Sequence, residues 1–460
     1  RISFFNKADL NAKTFIEKYT VLDLLNNRYT LDKEKALVSG VDISYFFIGF
    51  GETNKQLLRK TFVNNALVDV KYKAHIIDKN AREIESEFDN EAPGIRHSSI
   101  GKEYADIAFS SNIDVKSEAF KKYLRDKLSL SNCIFVALDD DLSSIRCAYE
   151  IEKLIKNINL DNKTIYQAKI FIHVREKSEY VNMIAHNTSK EEVEIEFIGS
   201  EKSIFTYDNI IREEFDILGK RVDRAYRILK NKEKINSIND EKDNLEWENN
   251  CSQFMKESSR MDALNIRTKL QLIGLELIKK NDFKKLAHYR EIDQKKLFDE
   301  NYQLVNITTT GNKSNETERY LDLSTLTKDY IKLVSIYTNY NLALTNLARH
   351  EHKRWNCFHL INGWRPLSYI QEDYVIDEKA FTIVAKKPLL KRHMYIVSWE
   401  ELLTIKDYIK QMLIDKFDIK DEDTKLLAEY GADVLKYDYF TMCGLSAILK
   451  DSDYVICIKK

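Results

Sequence analysis

Five strand-length apolar runs, set apart by charged stretches of helical character, constrain this chain more than any other feature. They are Val41-Asp-Ile-Ser-Tyr-Phe-Phe-Ile48, Ala74-His-Ile-Ile-Asp78, Ala105-Asp-Ile-Ala-Phe109, Cys133-Ile-Phe-Val-Ala-Leu138 and Lys169-Ile-Phe-Ile-His-Val174. Glu118 to Leu128 and Ile145 to Ile158 are two of the charged stretches between them. Strands that stay apolar at every position are buried on both faces. When they alternate with helices, they predict a parallel sheet sandwiched between helical layers. Val193-Glu-Ile-Glu-Phe-Ile198 instead alternates apolar with charged residues, the pattern of an edge strand, and a long helix follows from about Tyr207 to Leu229.

At 460 residues the chain has room for about two to four domains. Residues 1–40 read as a charged helical lead, 41–229 as the sheet domain and 230–246 as a polar linker with almost no apolar anchors. Residues 247–415 follow a helical pattern, in Trp247 to Lys256, Ser258 to Lys280, Leu323 to Trp355 and Trp399 to Phe417. A polar loop covers Thr308 to Thr317, and 416–460 form a shorter α/β extension. No internal repeat stands out. A hydrophobic fraction of 43% supports packed cores and excludes a disordered chain. Lys and Arg (72) balance Asp and Glu (73), so no global basic field exists to attract long nucleic acid, and any nucleotide recognition must come from a local pocket. Cys133, Cys147, Cys251, Cys357, Cys443 and Cys457 show neither metal-knuckle nor redox spacing, which fits free thiols in a reducing cytoplasm. The longest apolar run, Ile43 to Gly51, falls far short of the roughly 20 residues of a membrane span. The sequence opens on Arg1 rather than methionine, so a membrane channel portion upstream, with this chain as its cytosolic part, stays among the expectations.

The first candidate site is the turn after the first run, Gly49-Phe-Gly51-Glu-Thr-Asn54. In a Rossmann-type fold one glycine makes the tight strand-to-helix turn and the next lets a pyrophosphate approach the backbone. The helix N-terminus then offers unpaired N–H groups and a partial positive charge. The third glycine of the usual pattern is here Asn54. Asp78, 27 positions after Gly51, ends the second run, where a carboxylate accepts both ribose hydroxyls. Asp139 and Asp140 follow the fourth run and belong on the same carboxyl edge. Glu52, inside the turn, would repel a pyrophosphate. The alternative is that the glycines only make a turn and Asp78 only caps a helix. Phe47-Ile-Gly-Phe-Gly51, Ile76-Ile-Asp78, Ile134-Phe-Val-Ala-Leu-Asp-Asp140 and Ala168-Lys-Ile-Phe-Ile-His-Val-Arg175 together resemble the NAD-binding TrkA-N (RCK) domains, over about residues 41–200. That resemblance implies NAD or a related dinucleotide as cofactor, a sensing rather than chemical role in ion transport regulation, and pairing into a homodimer or higher homo-oligomer.

The second candidate site lies in the helical half. Glu351, Arg354 and Trp355 stand at i, i+3 and i+4 and share one helix face, with Gly363-Trp364 ending that helix through a left-handed glycine. A carboxylate, a guanidinium fork and an indole face suit recognition of an anionic, planar ligand. Trp247, Arg260 and Lys269, on the preceding helical segments, and Arg392 with His393 further on add to the set. The alternative is that Trp247, Trp355 and Trp364 are core aromatics and that Glu351 with Arg354 is an internal ion pair. His350, His352 and His359 do not form a zinc motif, because His350 and His352 point to different helix faces. Ser258-Ser-Arg260, Lys269-Leu270, Glu351-His352-x-Arg354-Trp355, Gly363-Trp364 and His393 resemble the RyR domain, the repeat first described in ryanodine receptors, over about residues 245–415. The resemblance implies a mainly helical domain and a nucleotide-derived ligand, because bacterial RyR domains occur beside TrkA-N domains and in antiviral-defence loci. The chain departs from it in a long insertion over 281–330.

These readings make the chain an α/β ligand sensor without catalytic residues, controlling a channel or a defence output. Two other classes compete with it. An NAD-dependent or NAD-consuming enzyme would need a proton donor, for which Tyr104, Asp106 and His173 are candidates by residue type alone. A scaffold would have lost both ligands.

Overall fold

The protein is described from a computed structural model covering residues 6–111, 114–161, 164–175, 192–210, 214–231, 240–293, 297–298, 304, 336–368, 375–377, 382–384, 386–417, 434–450 and 452–459. The Thr308 to Thr317 loop, residues 232–239 of the expected linker and most of the 281–330 insertion lie outside the described residues. The chain divides into two compact units, the first built from residues 1–30, 39–214 and 360–363 and the second from 31–38, 215–359 and 364–460.

The apolar runs of the first unit become six strands. They are β1 (Ile43–Ile48), β2 (Tyr72–Ile77), β3 (Ala105–Ser110), β4 (Ser131–Val136), β5 (Gln167–His173) and β6 (Val193–Ile198). All five neighbouring pairs are parallel, in the order β3-β2-β1-β4-β5-β6. This is the doubly wound arrangement of a Rossmann-like fold. Burial follows position in the sheet. β1 and β4, at the centre, are buried at every residue, whereas the edge strands β3 and β6 each bury only two of six residues. Side chains of successive residues face opposite layers. Phe46, Ile48, Ile134, Val136, Ile170 and Ile172 pack with Phe120 and Leu124 of α3 (Glu118–Lys127) and with Ala148, Ile151 and Ile155 of α4 (Asp141–Asp161).

The other face carries α1 (Lys7–Lys18) and α2 (Glu52–Asn64), the latter following β1 directly. Phe15 of α1 sets its ring edge-on against Phe135 (5.0 Å) and Phe171 (4.9 Å), and these two rings stack on each other. Such aromatic pairs add directional attraction to the area they bury. The first helix of the lead, α1, is therefore an integral layer of this unit, a role its charged sequence did not announce, whereas residues 31–38 of the expected helical lead fall in the second unit and Thr30–Asp32 pairs with Leu37–Ser39 as two short strands.

The second unit is mainly helical, with small sheets. Its helices include α5 (Glu214–Asn231), α6 (Gln253–Leu272), α7 (Ala343–Ile361, in this unit as far as His359), α8 (Trp399–Phe417) and α9 (Lys436–Cys443). The sequence pattern groups α5 with the sheet domain, but all of it after Glu214 belongs to the second unit. Its buried stripe of Leu218, Val222, Ala225 and Leu229 explains this, since Gly219 abuts Arg260 and Trp247, and Tyr226 packs on Tyr437 and Phe440. Besides the two-stranded antiparallel pair of Val375–Asp377 with Thr382–Val384, this unit has two three-stranded sheets. One joins β7 (Glu276–Lys279), β8 (Tyr289–Glu291) and β12 (Tyr454–Lys459), with β12 in the middle and both pairings antiparallel. The other joins β9 (Arg365–Pro366), β10 (Lys386–Lys387) and β11 (Arg392–His393), with β11 in the middle. No helix among the described residues is long and apolar enough to cross a membrane.

Candidate functional site

In the first unit the chain runs from β1 outward to β2 and β3, then returns to place β4 on the other side of β1. The loops after β1 and β4 therefore leave in opposite directions, and a crevice opens at the carboxyl end of the sheet. A cavity of about 660 Å³ lies there, lined by loops following β1, β2, β4 and β5 and by the start of α1.

Gly49 and Gly51 do different work in its floor. Gly49 has φ +75°, and a Cβ there would overlap the Ala137 carbonyl oxygen and come within 2.9 Å of Leu138 Cδ2. Both backbone conformation and close packing thus demand glycine. Gly51 has φ −71° and ψ −176°, an extended conformation open to any residue, and a Cβ there would meet nothing within 4 Å. The protein itself does not require glycine at this position. Gly51 is also the N-cap of α2, with no side-chain cap, so the first N–H groups of α2 receive no capping side chain from that residue.

Asn54 is fully buried rather than facing the cavity. Its Nδ2 donates to the carbonyls of Gly49 (2.6 Å) and Ile48 (3.2 Å) and so ties α2 to the end of β1. The helix–strand packing that a third glycine would allow is achieved here by an amide clamp. Its Oδ1 is buried without a hydrogen-bond partner.

Asp78 lines the cavity and holds the turn at the same time. Its Oδ2 accepts from Phe50 N–H (2.8 Å) and its Oδ1 from Asn80 N–H (2.9 Å). Each oxygen keeps a second lone pair for a ligand hydroxyl. Asp139 is exposed at the mouth, and Asp140 caps α4 by accepting from Ser143 N–H (2.8 Å); hydrogen bonding from Ser143 holds its carboxyl below the usual range. Glu52 sits at the rim, bonded to Gln56 (2.8 Å).

Of the opposite wall, sequence reasoning singled out His173 alone, and by residue type only. Asn6, Lys7 and Ala8 come from the helical lead, and His173 and Arg175 from the end of β5. Arg175 donates to the Asp139 carbonyl (3.0 Å), and burial holds the His173 imidazole below its ordinary pKa. The signal was present, because residues just past any parallel strand reach this edge, but only strand order shows that β5 lies close enough. Tyr104 and Asp106 stand at the start of β3, the end of the sheet away from the cavity, so of the three proton-donor candidates only His173 borders it.

The residues singled out in the second unit fall into three groups. Trp247 is buried under Arg260, whose guanidinium lies 5.6 Å from the indole and pairs with both oxygens of Asp216 and with Glu257. Lys269, Glu351 and Arg354 form a second group, each 1–2% exposed. Lys269 Nζ donates to Glu351 (2.6 Å) and to Asp262 (2.7 Å), and Arg354 grips Glu351 through Nε (2.8 Å) and Nη2 (2.6 Å). Thr441 of α9 donates to the other oxygen of Asp262 (2.7 Å). Burial alone would raise the Glu351 pKa, but Arg354 and Lys269 outweigh it and hold the carboxyl below its usual range. This geometry corresponds to the ion-pair alternative: two cations and two carboxylates joining α6 to α7. Arg354 Nη1 remains buried without a hydrogen-bond partner.

The third group is a ring cluster. His359 lies 3.9 Å from Trp355 and 5.4 Å from Trp364, and His393 lies 5.0 Å from Trp355 and 5.8 Å from His359. Trp355 is the half-buried member, while Trp364, His359 and His393 are buried. Burial holds His359 at a pKa of about 3 and His393 well below its ordinary value, so both rings are neutral near pH 7. Gly363, with φ +87°, ends α7 as the left-handed cap expected there.

All six cysteines are free thiols, five of them buried. Among the described residues no cluster of His, Cys, Asp and Glu is arranged to hold a metal ion. Neither a protein-family model, nor a curated protein, nor a solved structure matches this chain.

Proposed function

We propose that the first unit binds NAD or a related dinucleotide and that the chain is a ligand-sensing regulator. The pyrophosphate would lie on the N–H groups at the start of α2, and a ribose would lie against Asp78. The observation that carries this reading is Gly51, a glycine demanded by neither backbone conformation nor packing, at an uncapped helix N-terminus facing an open cavity. Such a position makes sense where a ligand backbone must come closer than a Cβ allows. The TrkA-N resemblance supports the same site and a sensing role, with a homo-oligomer as the working state.

A nucleotide-derived second ligand, in keeping with the RyR resemblance, is proposed for the second unit at Trp355, Trp364 and His393. Trp247 with Arg260, and Lys269 with Glu351 and Arg354, would act as the supports of that surface. The regulated output would be a channel or a defence effector.

The test is isothermal titration of the whole chain with NAD, NADH, ADP-ribose, ATP and a set of cyclic di- and trinucleotides. One dinucleotide should bind wild type and fail to bind Gly51→Val. A signalling nucleotide should lose affinity in Trp355→Ala while the dinucleotide does not. Binding of neither class would favour the scaffold reading, and time-dependent consumption of NAD would favour the enzyme.

A further inference from the structure

A hairpin of the second unit carries an apolar tip that the nucleotide reading does not use. β10 (Lys386–Lys387) and β11 (Arg392–His393) pair antiparallel and are joined by Pro388-Leu389-Leu390-Lys391. The turn is well defined. Pro388 to Leu390 form a single 3-10 turn, Lys391 closes it with φ +47°, and its N–H donates to the Pro388 carbonyl (3.0 Å). Leu389 is 100% exposed and Leu390 62% exposed.

Exposed leucines are ordinary when scattered, but two adjacent ones at the end of a hairpin are not. Four cations flank them. Lys386 and Lys387 stand on one strand, Lys391 and Arg392 on the other side of the turn, and no carboxylate occurs between Lys386 and His393. The tip is convex, so a protein partner would need a matching socket, whereas a lipid interface accepts a convex apolar tip without one. Exposed Lys386 and Arg392, on the two strands that carry such a tip, match the phosphates of anionic headgroups.

We propose that the Lys386–Arg392 hairpin docks the protein on anionic membrane surfaces, with Leu389 and Leu390 entering the headgroup–acyl boundary and the exposed Lys386 and Arg392 engaging lipid phosphates. This contact is peripheral and separate from any membrane-spanning partner.

The test is co-sedimentation of the whole chain with phosphatidylcholine vesicles made with and without phosphatidylserine. Wild type should sediment with the anionic vesicles only, and added salt should weaken the binding. At about 1 kcal/mol for each basic residue near the surface, Lys386→Gln with Arg392→Gln should weaken partitioning about thirtyfold. Leu389→Asp should abolish it. Leu389 makes no buried contact, so these variants should melt as wild type does. Leu389→Trp supplies an independent readout, a blue-shifted emission on anionic vesicles. Wild type that stays in the supernatant, binding unchanged in Leu389→Asp, or an indole emission of the Leu389→Trp variant unaffected by vesicles would each overturn the proposal. Equal binding to an acidic polypeptide and to vesicles, with no blue shift, would assign the hairpin to a protein partner instead.

Discussion

Alanine substitutions at the two glycines of the β1–α2 turn should separate folding from binding. At Gly49 the costs come from the protein itself. A side-chain-bearing residue at φ +75° loses about 1–2 kcal/mol. Relieving the overlap with the Ala137 carbonyl requires a main-chain shift worth another ~1–3 kcal/mol. Gly49→Ala should therefore cost about 2–5 kcal/mol. At Gly51 neither cost exists. Replacing a glycine N-cap by alanine costs roughly 0.5–1 kcal/mol, and the stiffer unfolded chain returns ~0.4–1 kcal/mol, so the net lies within about 0.5 kcal/mol of zero. A protein with two compact units need not unfold in one step, so a single melting temperature is a poor measure. Amide hydrogen exchange followed at β1 and β4 is the better assay. Gly49→Ala should accelerate exchange there about thirtyfold or more, while Gly51→Ala leaves it unchanged. Titration with the dinucleotide should show the reverse ranking per unit of stability lost, with Gly51→Ala impairing affinity in a protein that is otherwise intact. Equal exchange in the two variants would refute the packing argument. Unimpaired dinucleotide affinity in Gly51→Ala would refute the ligand argument.

Three further outcomes follow from the same geometry. Arg354→Ala should destabilise the second unit by about 3–5 kcal/mol, because it leaves Glu351 buried beside a single remaining cation; Arg354→Ala with Glu351→Leu should recover part of that loss in urea unfolding, and a fully additive double variant would show that the pair is not coupled. Burial holds His75 at about 4, His359 at about 3 and His393 well below its ordinary pKa. Their folded-state values are depressed, so above about pH 6.5 they cost nothing. Below it the unfolded chain takes up protons that the native state refuses, and stability should fall by up to about 1.4 kcal/mol per pH unit for each histidine. Thermal melts from pH 7 to pH 5 check this, and a flat profile, or one unchanged in His75→Leu, counts against it. Finally, a dinucleotide held at 100 times its dissociation constant should add about 2.7 kcal/mol to the first unit and slow exchange in β1 and β4, with no protection in Gly51→Val.

Most of the sheet was legible in the sequence, for a local reason. A strand buried on both faces is apolar along most of its length, and the apolar runs of β1, β4 and β5 announce themselves this way, while the apolar–charged alternation of β6 marks it as an edge. The turn was legible too, because the strand–glycine–glycine–helix order is continuous in the chain. What the sequence left open depends on residues far apart in it. Strand order decided that β5, rather than β3, borders the cavity, and so brought His173 and Arg175 to it, while Tyr104 and Asp106 stand at the N-terminal start of β3, on the opposite edge of the sheet. The helical lead shows only charge and helical spacing, and nothing local tells that Phe15 seats on Phe135 and Phe171. In the second unit, β12 pairs with strands more than 160 positions earlier, so its place in the middle of a sheet has no local signature.

The most instructive case is the Glu351, Arg354 and Trp355 face. The sequence determined that these side chains share one side of a helix, because 3.6 residues per turn fixes that without any partner. It could not determine what they meet. Lys269 and Asp262, brought in by α6, turn the carboxylate and guanidinium into an interior ion-pair network, while one turn of packing further on Trp355 stays half-exposed beside His359 and His393. Helical periodicity is a property of the backbone and is written in the sequence. The desolvation that separates a structural ion pair from a binding surface depends on which distant residues cover it, and only the tertiary structure decides that.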